Sequence, residues 1–122
     1  MKLLIFALLL GALSFGADVA GVWHGSFTPE RPDGTQEKEH SAYLALKQDG
    51  VKLTGRIGPN EEKNFELTKG MVDGDSVTFE VFADGMQMKV SMKLKDGKLE
   101  GVVQAEKEGE EKRKAVVNFT RS

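Results

Sequence analysis

Met86-Gln87-Met88-Lys89-Val90-Ser91-Met92-Lys93-Leu94-Lys95 carries the pattern that decides the fold of this chain. Met86, Met88, Val90, Met92 and Leu94 share one side of an extended backbone, and Gln87, Lys89, Ser91, Lys93 and Lys95 share the other. Successive side chains of a strand point to opposite faces, whereas a helix would scatter the five apolar residues around its axis. The stretch therefore reads as a strand with one face in a core and one in water. Asp84-Gly85 and Asp96-Gly97 bound it. Asp-Gly tolerates the positive φ of two-residue hairpin turns, so both neighbours of this strand are expected to run antiparallel to it.

The same period of two recurs outward in both directions. It marks Trp23 with Phe27, Leu44 with Leu46, Leu53 with Gly55 and Ile57, Phe65 with Leu67, and Val77 with Phe79 and Val81. Beyond the central strand it marks Leu99, Gly101 and Val103, then Ala115, Val117 and Phe119. Eight strands are expected, near 21–28, 40–48, 51–58, 63–69, 75–82, 86–95, 98–106 and 112–121. Further Asp-Gly pairs stand at Asp33, Asp49 and Asp73. Those at Asp49, Asp84 and Asp96 predict tight hairpins, Asp73 follows a less regular segment from Lys69 to Val72, and Asp33 lies in a long loop from Pro29 to Glu39. Gly55 and Gly101 each fall two residues past an inward Leu and predict bends or bulges.

Sequential hairpins place chain neighbours side by side in space. A sheet with one apolar face must then close on itself or fold over, so the fold class is all-β. An eight-stranded antiparallel up-and-down β-barrel and a two-sheet β-sandwich both satisfy the pattern. Closure removes vulnerable edge strands and is the favoured form.

Lys2, the apolar run Leu3–Leu13 and the small residues of Ser14-Phe15-Gly16 have the form of a cleaved signal peptide, residues 1–16, leaving 17–122 as one domain. The expected location is periplasmic or secreted. The chain has no cysteine for lipidation or disulfides, so its own core must hold it. The run is too short for stable membrane insertion. Loss of Lys2 leaves 16 basic against 19 acidic residues, a net charge near −3, which gives no footprint for nucleic acid.

The inward positions are almost wholly apolar. They offer no paired carboxylates and no nucleophile with a base, so an enzyme is not expected. Nor is a cofactor or metal: His40 lacks a ligand partner, His24 falls on the outward face, and Asp73-Gly74-Asp75 lacks the further ligands of a calcium loop. Met86, Met88 and Met92, with Phe79, Phe65, Leu44 and His40, form the candidate ligand-binding set. Thioethers line adaptable apolar pockets, and a barrel of this size either is filled by side chains or holds one small ligand. The expected function is binding of a small apolar or amphipathic molecule. The alternative is a packed barrel serving as a cell-envelope structural or protein-interaction module. Val22, Tyr43, Phe82, Val102 and Val116 interrupt the polar outer face and would serve a homodimer or partner contact if they cluster.

Gly21-Val22-Trp23 opens the first strand, and Asn118-Phe119-Thr120-Arg121 closes the last. This resembles the calycin barrels (lipocalins, cytosolic fatty-acid-binding proteins and avidins), and most of all small exported bacterial lipocalin-like domains. The resemblance implies a barrel in which a basic residue of the last strand packs across the Trp of the first, here Arg121 and Trp23, at the closed end. Strand parity independently puts both on the inward side, where a cation–π contact can form. The chain departs from these families in its single Trp, where avidins surround biotin with several. The lipocalin disulfide has no cysteines here, and neither the helical lid nor the tyrosine–arginine clamp of fatty-acid-binding proteins can be placed.

Overall fold

The computed structural model describes residues 17–110 and 112–122; residues 1–16, where the sequence leads one to expect a signal peptide, lie outside them. The alternating segments form β1 (Gly21–Glu30), β2 (His40–Asp49), β3 (Lys52–Gly58), β4 (Phe65–Asp73), β5 (Ser76–Ala83), β6 (Met86–Lys95), β7 (Lys98–Glu106) and β8 (Arg113–Arg121). Each strand pairs antiparallel with its chain neighbours, and β1 closes onto β8 from Trp23↔Arg121 to Glu30↔Lys114. That closing ladder decides for the barrel over the sandwich. Among the described residues there is no helix, and so none long and apolar enough to cross a membrane.

The Asp-Gly turns fall into two kinds. At Asp84-Gly85 and Asp96-Gly97 both residues have positive φ (53° and 78°, 53° and 77°), the signature of a type I′ turn. At Asp49 and Asp73 the Asp instead ends a strand, pairing with Lys52 and Ser76. Gly50 and Gly74, at φ 64° and 61°, then take the first loop position, as in a type II′ turn. The tight turn at Asp73 is regular; the irregularity expected nearby lies within β4 itself.

Strand β4 carries one extra residue against both neighbours, with register shifts between Leu53 and Arg56 of β3 and between Thr68 and Met71 on the β5 side. Lys69 absorbs it at φ 54°. The bulge reverses the parity of the strand: Phe65 and Leu67 point inward before it, and Val72 does so after it. Met71, inward by simple alternation, is 52% exposed, while Val72 is 1% exposed. The bulge also explains why β4 runs to Asp73 rather than ending at residue 69.

Gly55 and Gly101 sit where neighbouring strands cross closely. A Cβ on either would lie 1.9 Å from a backbone oxygen, that of Ala45 or of Ser91. Absence of a side chain lets the sheet bend tightly enough to close.

One end of the barrel is plugged. Residues Ala17–Ala20 cross it, with the Ala17 N–H donating to Gly74 O (2.9 Å) and the Val19 N–H donating to Gln48 Oε1 (2.8 Å). Gln48 Nε2 donates back to Ala17 O at 2.9 Å. Val19 is fully buried and accepts a 3.0 Å hydrogen bond from Trp23 Nε1. Above this plug, Trp23, Leu46, Leu53, Val72, Val77, Phe79, Met92, Leu99 and Phe119 form a closed core. Among the described residues no polar or charged side chain is buried in it.

Candidate functional site

On several strands the inward side chains finish small at the end away from the plug. On β5 the series is Val77, Phe79, Val81, Ala83; on β8, read from its end, it is Phe119, Val117, Ala115; on β7 it passes from Leu99 through Gly101 and Val103 to Ala105. Large residues fill the plugged half, whereas Ala42, Ala83, Ala105 and Ala115 leave space in the other. The space is a cavity of about 370 Å³ that opens between the β1–β2, β3–β4, β5–β6 and β7–β8 connections. Its walls are Phe27, Ile57, Phe65, Met86, Met88, Val103 and the alanines, and its floor is Val90, Val117 and Phe119.

This geometry divides the candidate residues. Met86, Met88 and Phe65 line the cavity and are half-buried. Phe79, Leu44 and Met92 do not line it; at 1%, 0% and 2% exposure they are part of the packing beneath it. The decisive strand β6 thus serves both halves, closed at Val90 and Met92 and open at Met88 and Met86. His40 also stays outside the lining. Its exposed ring stacks on Phe27 at 5.0 Å between centroids and 22° between planes, at the rim. The expected inward positions include Ala115 but not Ala83 or Ala105, and the candidate ligand-binding set includes none of the three, although the small residues at that end of β5, β7 and β8 are visible in the sequence.

The mouth is edged by charge. Lys63, from the β3–β4 loop, joins Arg113 at the start of β8 in lining the opening, with Asp84 as the one carboxylate, while Lys114 borders it from the outward face of β8. The ion pairs among the described residues are Lys69–Glu80, Lys107–Glu110 and Lys112–Glu106, and they use none of these four. In the β1–β2 loop, Asp33 accepts hydrogen bonds from the Thr35 hydroxyl (2.7 Å) and amide (2.9 Å). The Thr35 hydroxyl above all, then its amide, holds this carboxyl below the usual carboxylate range.

An outer recess of about 550 Å³ is larger, but it is an open hollow between the sheet exterior and exposed Asn60, Glu61 and Glu62. His24 borders it, hydrogen-bonded through Nδ1 to Ser122 Oγ and 5.6 Å from the Tyr43 ring. The interior cavity is the better site because it removes far more ligand surface from water. On the outer face, Val102 and Val116 pair across β7 and β8, and Phe82 stands apart on β5 at 65% exposure. No group of three or more His, Cys, Asp or Glu among the described residues could hold a metal ion.

At the plugged end the Arg121 guanidinium lies 4.4 Å from the Trp23 ring centroid. A meander closed from β1 to β8, sealed at one end by this pair and open at the other, is an eight-stranded antiparallel up-and-down β-barrel. No protein-family model matches the chain, and no curated protein does. Among solved structures, it is similar to a protein of unknown function from the DUF3598 family of Nostoc punctiforme, at 15% identity and a TM-score of 0.48, over 85% of this chain and 47% of that one. The chain thus spans about half the length of that protein. It is also similar to the fluorescent protein UnaG, at 18% identity and a TM-score of 0.44, over 85% of this chain and 97% of that one. A single-residue variant of UnaG gives 20% identity and a TM-score of 0.45. At these values the likeness concerns the arrangement of strands and extends to no individual residue.

Proposed function

We propose that this protein binds a small apolar or amphipathic molecule in the open half of its barrel. The observation that carries the reading is the cavity of about 370 Å³, apolar on its walls and floor and open at one end. That volume falls within the range of small-molecule sites, roughly 300–1,000 Å³. A ligand there would gain about 25 cal/mol for each Å² of apolar surface withdrawn from water. Met86 and Met88 supply walls that adapt to its shape. The reading assigns no catalysis, cofactor or metal, because the walls present no nucleophile or general base. It places the protein in the periplasm or outside the cell, on the strength of residues 1–16 alone. No nucleic acid or membrane-inserted state enters it.

Native mass spectrometry of the purified protein after exposure to a lipid extract tests the proposal. The expected result is a stoichiometric small-molecule adduct with a raised melting temperature. Absence of both, across apolar and amphipathic compounds, would remove it. The alternative, an interaction module working through its outer face, draws support from Phe82, which stands 65% exposed on β5. A homodimer built on it would dissociate on Phe82→Ser in sedimentation velocity with little loss of stability, and a wild-type monomer at high concentration ends that form of the alternative.

A further inference from the structure

We infer that the ligand is an amphipathic anion, held tail-inward with its negative head group at the mouth on Lys63 and Arg113. The inference rests on the cavity being a ligand site and deepens that reading. These two cationic residues line an otherwise apolar opening, against the single carboxylate of Asp84, while Lys114 beside them lies on the outward face of β8 with Val116. Lys63 and Arg113 approach from two separate segments, the β3–β4 loop and the start of β8, so they edge the opening from more than one side. Neither belongs to an ion pair among the described residues. Lysine and arginine at such a rim lay their methylene stems along apolar surface and keep their charges in water.

Depth selects the orientation. Among the described residues no polar or charged side chain is buried in the barrel, so a head group drawn inward would lose water and gain no partner. At the rim it keeps water and gains charge-assisted hydrogen bonds, which Arg113 can make in bidentate form to a carboxylate or a phosphate. The tail then meets Met88, Val103 and Val117. A neutral ligand of the same length forgoes the rim interaction, and a cationic one is repelled by it.

The test compares dodecanoate, dodecyl phosphate, dodecanol and dodecylammonium as displacers of a neutral apolar fluorophore from the full-length protein. The two anions are expected to bind about tenfold tighter than the alcohol, as two modest ion-pair interactions together allow. Their relative order assigns the head group as carboxylate or phosphate. The double variant Lys63→Gln, Arg113→Gln should erase that advantage and leave dodecanol affinity unchanged, with high salt doing the same to the wild type. Equal binding of alcohol and anions, or anion affinity untouched in the double variant, overturns the head-group assignment while leaving the cavity reading intact. Failure of all four to bind removes the cavity reading and this inference with it.

Discussion

Arg121 and Trp23 form the seal of the barrel: the guanidinium sits 4.4 Å from the indole centroid and donates to the backbone oxygens of Asp18 and Ala20. One side chain thereby ties the last strand, the first strand and the plugging segment together. The indole is fully buried, whereas the arginine is exposed, so their contributions should be unequal. Trp23→Ala is expected to cost about 3–5 kcal/mol. Arg121→Ala should cost about 1 kcal/mol, since its partners regain water and an exposed cation–π contact is worth roughly 0.5–1 kcal/mol. Trp23→Phe keeps most of the volume but abandons Val19 O, at about 1–3 kcal/mol. Urea denaturation of the three variants checks the order, and equal losses for Arg121→Ala and Trp23→Ala would contradict it.

The bulge at Lys69 makes a second prediction, because it sets two adjacent residues in opposite environments. Val72 faces the core and Met71 faces water. Val72→Ala should cost roughly 1.5–3 kcal/mol, the value of a buried Val side chain, and Met71→Ala less than about 0.5 kcal/mol. An unbroken alternation through β4 would reverse that order, so thermal melts of the pair test the bulge directly.

Gly101 has ordinary backbone angles, and its constraint is steric. A Cβ there would stand 1.9 Å from Ser91 O, an atom fixed in the β6–β7 ladder. Gly101→Ala is therefore expected to destabilise by about 1–3 kcal/mol through forced separation of the strands. The same change at Gly25, whose Cβ would lie 1.7 Å from Asn118 O, should act alike across the closing ladder. A neutral melting temperature for either variant would show that the sheet yields there.

Asp33 supplies a pH prediction. Its carboxylate accepts both hydrogen bonds from Thr35, which lowers its titration below that of an ordinary aspartate. A depressed value in the folded state means that the loop is held in place above the unfolded value, and loses that support as pH falls through the folded one. The Thr35 amide resonance should move with a midpoint below the usual aspartate range, and Asp33→Ala should remove the transition. A midpoint at or above that range would refute the hold of Thr35 on the Asp33 carboxylate.

The strand count and the inward face of β6 were legible in the sequence, because alternation and Asp-Gly turns are local signals read directly from neighbouring residues. The Trp23–Arg121 seal was legible only through the resemblance to known barrels, with parity putting both residues on one side. Closure was favoured only because it removes edge strands, since a meander of amphipathic strands satisfies its inner face equally as a barrel or a sandwich. The parity switch at Lys69 was not legible: a lysine gives no sign of adopting positive φ, and the alternation simply weakens there. The candidate site was half legible. Parity tells which side chains point inward but not how far along the axis they lie, so it does not separate Met92 and Phe79, packed beneath the cavity, from Met86 and Met88 of its wall. His40 lies outside the lining for another reason: a residue at the end of a strand is freed from its inward direction and can lie across the rim, here against Phe27.

That axial division yields the last prediction. Met92 and Met88 occupy the same face of the same strand, yet Met92 is packed on all sides and Met88 borders open space. Truncating Met92 to Ala leaves a hole in a closed core and should cost about 2–5 kcal/mol. Truncating Met88 removes atoms that already lack partners on one side, so the loss should be about 1 kcal/mol or less, with a roomier cavity. The converse change separates stability from function. Ala105 is the register partner of Met88 and lines the cavity, and Ala105→Phe would fill the space a ligand needs. That variant should fold with a melting temperature close to the wild type and lose ligand binding altogether. Retained binding would place the ligand elsewhere on the molecule, and a collapsed melting temperature would show the open half to be more tightly packed than its volume implies.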